Sequence, residues 1–486
     1  MKKILKSITV FGISNILSKV LSSFLIPLIV AKFISKENFA STDIIISFFS
    51  LIALLTSLSL ESALARYFYN EVKNSSLVSS IIFTVGSLSL ILTIISILFS
   101  NNISTFLFGN EEYSKLCIIG SLLIFFSNIS TITNLYLRFS EKINLFAIIS
   151  VSQFIIILAY LFLSFKFNIL SSNTIIIAIV LQNVIPALII VPLFINKFEF
   201  KISLPTLIIC LRYSLPLVPI TIMVWVNIYL NRFLLQHSKG LQSLSDYMLA
   251  LKVASVITLM ESVFNMFWQP FFLKRFSEKE NFKKFEIIFN LLTLLFFLLF
   301  IVSVFIYPLA IDFFYDSKYS ISNQYFGLLA LTFLINIFNS IVGIGINAKN
   351  KTGISSLIFI STSILGAIMS YALLYYYNTI GLVVSTLLLS IINFTITIFF
   401  TRKFIDIKYN YKNFILNIII AISFYLLTNF IPLSLLIKCI FLFIFIILVL
   451  LINLKKFTNN DYFMLQYEKI KLKLFNYGTK DVYKNL

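Results

Sequence analysis

Apolar runs of about 20 residues recur along this chain almost without pause, each long enough to cross the ~30 Å hydrocarbon core of a bilayer as a helix. Fourteen spans can be drawn, beginning near Val10, Thr42, Leu77, Ser114, Leu145, Thr174, Ser214, Asp246, Phe285, Gln324, Gly353, Ile380, Asn413 and Leu435. In lipid, backbone polar groups must pair within their own segment, and period-2 alternation is absent. The expected fold is therefore an all-α polytopic membrane protein. A mean hydropathy of +0.99 with 12% charged residues excludes an ordinary soluble globular chain.

The formal charge of +19 comes from topology. Counted from a cytoplasmic N-terminus, 28 of the 38 Lys and Arg fall in inner segments and eight in outer loops; Lys19 and Lys252 lie inside spans. That asymmetry follows the positive-inside rule and predicts that both termini are cytoplasmic. It leaves no basic domain for nucleic acid. The first span continues past Pro27 without a small-residue cleavage site, so it is expected to be retained. Cys117, Cys210, Cys439 and the lone His237 make neither a disulfide framework nor a metal-ligand spacing, so no metal is expected. No Walker-type loop exists, and Gly343-Ile-Gly345 lies inside an apolar span. The connecting loops are short, which argues against a polysaccharide polymerase or another membrane enzyme with a catalytic domain.

The chain repeats itself. Span 2 enters with Ser-Thr-Asp43 and leaves with Leu-Glu61-Ser62; span 8 enters with Leu-Ser-Asp246 and leaves with Met-Glu261-Ser262. Span 1 carries Pro27, and span 7 carries Pro216 and Pro219, which are candidate hinges. Six spans separate the copies, so the halves share one orientation and are related by an axis along the membrane normal. The expected organisation is a six-helix lobe over residues 1–200, a second over 201–404, two additional helices over 405–453, and a basic tail over 454–486. In the tail, Phe463, Tyr467, Ile470 and Leu474 form an apolar stripe suited to lying on an anionic leaflet.

Polar stripes at helical spacing mark the spans that face away from lipid. Span 1 carries Asn15, Lys19 and Ser22; span 4 carries Ser127, Thr131, Asn134 and Arg138; span 8 carries Glu261, Asn265 and Trp268; span 10 carries Asn336 and Asn339. Small polar residues serve as interhelical glue at about 0.6 kcal/mol each. A lysine is different, because a charge at the bilayer centre costs at least ~2.5 kcal/mol. Neither Lys19 nor Lys252 has an acid four residues away on its own helix. With Arg66, Arg138 and Arg232 they form a ladder of cations that suits a phosphate. Glu61, Glu261, Asp43 and Asp246 are candidate charge partners or carriers of a coupling proton or sodium ion.

The stretch from Arg212 to Phe272 contains Arg-Tyr-Ser-Leu-Pro-Leu-Val-Pro, Asn231-Arg232-Phe, Asp246-Tyr-Met-Leu-Ala-Leu-Lys-Val-Ala-Ser and Phe-Trp268-Gln-Pro-Phe-Phe. Together with Ser59-Leu-Glu61-Ser-Ala-Leu-Ala-Arg66-Tyr, it resembles the bacterial Wzx-type O-antigen and polysaccharide flippases of the multidrug/oligosaccharidyl-lipid/polysaccharide superfamily. It departs at Asn231, where relatives carry an acid. The resemblance implies export of an undecaprenyl-diphosphate-linked oligosaccharide across the bacterial cytoplasmic membrane by alternating access, without a cofactor. It implies a polysaccharide polymerase and a chain-length regulator as partners. It also implies that Lys19, Arg232 and Lys252 hold the diphosphate or acidic sugars, with Trp225 and Trp268 as sugar-stacking candidates. A lipid II flippase has the same frame; a drug antiporter of that superfamily would favour buried acids over buried lysines.

Overall fold

The computed structural model describes residues 31–68, 74–140, 142–197, 203–315, 318–349, 351–431 and 433–458. Asn15, Lys19, Ser22 and Pro27 lie outside the described residues, as does the tail from residue 459.

Among the described residues there are fifteen α-helices and no strand. The first half comprises α1 (Lys36–Ser57), α2 (Leu60–Tyr67), α3 (Asn74–Leu98), α4 (Ser100–Phe108), α5 (Ser114–Phe139), α6 (Ile143–Lys166) and α7 (Ser172–Lys197). The second comprises α8 (Leu204–Ser214), α9 (Val218–Ala254), α10 (Ile257–Leu273), α11 (Phe282–Tyr315), α12 (Asn323–Ala348) and α13 (Thr352–Phe404), followed by α14 (Tyr411–Phe430) and α15 (Leu435–Thr458). Eleven stretches are long and apolar enough to span a membrane. Two of them double back on themselves, matching the spans read from the sequence after the first.

The reversals sit where the backbone needs unusual torsions. In α9 the chain turns at Gly240, with φ 77° and ψ 178°, a conformation open to a residue without a Cβ. In α13 it turns at Tyr377 and Asn378, the latter at φ 56°. A Cβ at Gly381 would strike the Leu373 carbonyl, so that tight hairpin needs glycine.

Spans 2 and 8 are broken, and not at prolines. Span 2 breaks between α1 and α2, where Leu58 and Ser59 have φ of 49° and 54°. The Ser59 N–H donates to Ser57 Oγ at 3.2 Å, replacing a lost helical bond. Span 8 breaks at Ser255–Val256, between α9 and α10. Pro216 only tightens one turn, Leu215–Leu217, at the junction of α8 and α9.

α8 seats against α2 and α3, and Cys210 is buried in the cluster formed by Leu60, Val78, Ile129 and Leu137 of the first half. The second-half core is aromatic: Phe289, Phe297, Phe338 and Phe394 close around Phe414 of α14. α14 and α15 are tied by reciprocal hydrogen bonds between the buried amides of Asn417 and Asn453.

Candidate functional site

The two halves meet mainly along one seam, where α1 lies against α9. Their outward faces are apolar for lipid, so the polar residues of each helix concentrate on this contact. Asp43 of α1 is almost completely buried and receives two cations from α9: Arg232 Nη1 at 2.8 Å and Lys252 Nζ at 3.0 Å. Arg232 also donates to Ser47 Oγ at 3.0 Å and stacks over the Tyr229 ring at 4.4 Å. Asp246 of α9 takes Lys36 of α1 on both carboxylate oxygens, at 2.8 and 2.9 Å. The two acids that occupy matching places in the sequence repeat therefore exchange partners. Each holds a cation from the opposite half.

Neutral hydrogen bonds extend the seam. Trp225 Nε1 donates to the Ser47 carbonyl and Ser50 Oγ, both at 3.1 Å. Gln242 donates to Glu37 at 3.1 Å, and the Ser59 and Thr221 hydroxyls lie 3.3 Å apart. Lys318 reaches from the loop after α11 to the carbonyls of Ala31 and Ile34. Burial and the neighbouring Lys36 ammonium hold its pKa below the ordinary lysine value. From Thr221 to Gly240 the seam follows close to 30 Å of helix at ~1.5 Å per residue.

Behind the seam each half encloses a polar cavity with one glutamate. In the first half, about 260 Å³ is lined by Ser50, Ser57, Glu61, Ser127, Asn128 and Thr131. In the second, about 370 Å³ lies between α9, α10, α12 and α13, with Glu261 beside Asn227, Asn231, Asn336, Asn339 and Asn393. Asn265 Nδ2 donates to Ser340 Oγ at 3.4 Å, and both side chains hydrogen-bond Glu261. Among the described residues neither Glu61 nor Glu261 is in an ion pair.

The structure thus corrects part of the sequence reading. Lys252 has no acid four residues away on its own helix, but Asp43 supplies one from 209 residues away. Arg66 and Arg138 do not join that cluster. Both are exposed, and their guanidinium groups lie over Tyr213 at 4.9 Å and Phe139 at 5.5 Å. Arg66 belongs to α2, beyond the break from Asp43. Trp268 is not open to a sugar. It is 2% exposed, packed among Phe264, Phe272 and Phe285, with Nε1 donating to the Ile341 carbonyl at 3.3 Å. Trp225 is committed to the seam. Glu61 and Glu261 do not neutralise Arg232 or Lys252; Asp43 does.

Several site residues escaped the sequence reading. Ser363 and Ser370 of α13 line the second-half cavity, as do Thr386, Ser390 and Asn393 on its returning arm. The signal was present, since 386, 390, 393 and 397 are polar at helical spacing. Lys36, Ser47 and Gln242 at the seam were missed because partner choice across 200 residues leaves no local pattern.

Residues 4–276 match the family model described as polysaccharide biosynthesis protein. No curated protein sequence matches the chain. Among solved structures, it is similar to the lipid II flippase MurJ in an inward closed conformation. The TM-score is 0.70 at 18% identity, covering 90% of this chain and 97% of that one. An inward-facing multidrug resistance MATE transporter of the MOP superfamily gives 0.58 at 14% identity, over 80% of this chain and 95% of that one. The Vibrio cholerae MATE transporter VcmN gives 0.53 at 14% identity, over 83% and 96%. At these identities the likeness establishes the fold. The family model, which matches more than half of the chain and runs through the broken second span, the seam and Trp268, establishes the kinship: this multi-pass membrane protein belongs to the polysaccharide biosynthesis protein family.

Proposed function

We propose that the chain is a flippase that moves an undecaprenyl-diphosphate-linked oligosaccharide, an O-antigen or capsule repeat unit, from the inner to the outer leaflet of the bacterial cytoplasmic membrane by alternating access. The observation that carries this reading is the seam. Its ion pairs join the halves at the Gly240 end, whereas beyond the break at Leu58–Ser59 the halves meet through α8 against α2 and α3, with Arg66 over the Tyr213 ring and no ion pair among the described residues. A transporter that alternates needs such an end, closed by polar bonds that can be exchanged for water or substrate. Positive-inside topology puts the Gly240 end outside and both termini in the cytoplasm.

Arg232 and Lys252 exceed Asp43 by one positive charge, so the cluster has capacity for a phosphate once the halves part. Glu61 and Glu261, one per half, are the groups we assign to coupling with a proton or sodium ion. A polysaccharide polymerase and a chain-length regulator would act on the exported unit. Lipid II is the second substrate reading, favoured by the TM-score of 0.70 with MurJ. Complementation separates them. Restored surface glycan in a flippase-null host supports the first, and rescue of a strain lacking its lipid II flippase supports the second. Neither rescue rejects both.

A further inference from the structure

We propose that the second-half cavity seats an uncharged saccharide unit rich in hydroxyl and amide groups, and so selects which lipid-linked glycans are exported. The inference rests on the flippase reading and adds its specificity.

Of the nineteen described residues that line the cavity, five are asparagines and seven are serines or threonines; among them Glu261 is the one carboxylate, and there is no lysine or arginine. Asparagine offers a donor and an acceptor from one group, which matches a sugar hydroxyl or an acetamido group that does the same. Asn339 lines both this cavity and its neighbour, and its buried Oδ1 has no hydrogen-bond partner among the described residues. The volume of about 370 Å³ is an order of magnitude above the ~30 Å³ share of one water, too large for a single small ion to fill.

A second cavity of about 360 Å³ shares Asn339, Ser340, Phe359 and Asn393 with the first and continues to Asn347 and Thr397. The polar track is therefore long enough for more than one ring, with Phe359 as the shared apolar wall. Charge sets the class. An acidic sugar placed here would lose its water beside Glu261 with no cation among the described lining residues to replace it. Position supports the same assignment. Asn231 belongs to the lining, and Arg232, the next residue, holds Asp43 at 2.8 Å. A saccharide esterified to a diphosphate carries its uncharged rings immediately next to its anionic group, in the same order.

The test uses a flippase-null bacterium supplied in turn with two lipid-linked repeat units that differ in one sugar, an N-acetylhexosamine or a hexuronic acid. The wild-type chain is expected to display the uncharged unit at least tenfold better than the acidic one. Equal display of both units overturns the saccharide assignment and leaves the flippase reading standing; display of neither overturns the flippase reading. Against misfolded variants, the full chain carrying Asn339→Cys is labelled with a small maleimide in nanodiscs. Protection by chitobiose but not by glucuronate or sodium chloride supports the assignment. Protection by sodium chloride alone, by glucuronate equally, or by none of them overturns it.

Discussion

Asp43 and Lys252 stand 209 residues apart in the chain, and their side chains meet at 3.0 Å across the seam between the two halves. The same carboxylate holds Arg232 at 2.8 Å, so one acid from the first half neutralises cations from both arms of α9. Removing one partner of a buried pair costs ~3–5 kcal/mol, because the remaining charge is left uncompensated. Asp43→Ala strands two cations at once. It is expected to lower the thermal stability of the detergent-solubilised protein more than Lys252→Ala or Lys36→Ala, as read by a tryptophan or light-scattering melt. Equal melting of the three variants would show that the acid is not the centre of the cluster.

The Lys36–Asp246 pair joins a half-buried lysine to a buried acid, as Lys252–Asp43 does, but Asp246 holds one cation where Asp43 holds two. Its role is positional. Asp246→Lys places two ammonium groups together and is expected to reduce glycan display severalfold, while the exchange Lys36→Asp with Asp246→Lys recovers most of it. Display that stays low in the exchanged protein would show that Asp246 acts through another contact.

The chain has two tryptophans, and they differ in a way that fluorescence can read. Trp225 is half-buried at the seam, whereas Trp268 is sealed among phenylalanines. In a Trp268→Phe background, emission from Trp225 is expected to shift to the red as the seam opens; in a Trp225→Phe background, emission from Trp268 stays constant. A shift from Trp268 instead would place the moving surface elsewhere.

Gly120 of α5 faces Ile45 and Phe49 of α1, and even a methyl group there would collide with both. Gly120→Val should force α5 away from the seam helix and cost ~1–3 kcal/mol. The same change at Gly353, where a Cβ meets nothing within 4 Å, serves as the control. Similar melting of the two variants would contradict close packing of α5 on α1.

How far this was legible beforehand depends on the range of each interaction. Helical spans are dictated locally, since each stretch must pair its own backbone polar groups, and the described spans fall where hydropathy puts them. The repeated acids Asp43 and Asp246 were visible as a pattern, but not their exchange of partners, which depends on how two helices face one another. The breaks were hidden too. Leu58 and Ser59 are not residues that announce a left-handed backbone, whereas the prolines at 216 and 219 mark a junction where the structure has a single tightened turn, Leu215–Leu217. The cavity-lining Asn336 and Asn339 were found by their spacing on one helix, while Ser363, Ser370 and Ser390 become meaningful only when α13 folds back on itself.

The most direct test of the account locks the seam. With Glu37→Cys and Gln242→Cys in the full chain, a pair that replaces an exposed 3.1 Å hydrogen bond at the Gly240 end, surface glycan is followed in a flippase-null bacterium under oxidising and reducing conditions. The account predicts display in the reduced state, its loss when the disulfide closes the seam, and its return on reduction. Undiminished export by fully cross-linked protein would contradict it, because the halves would then never need to part at that end.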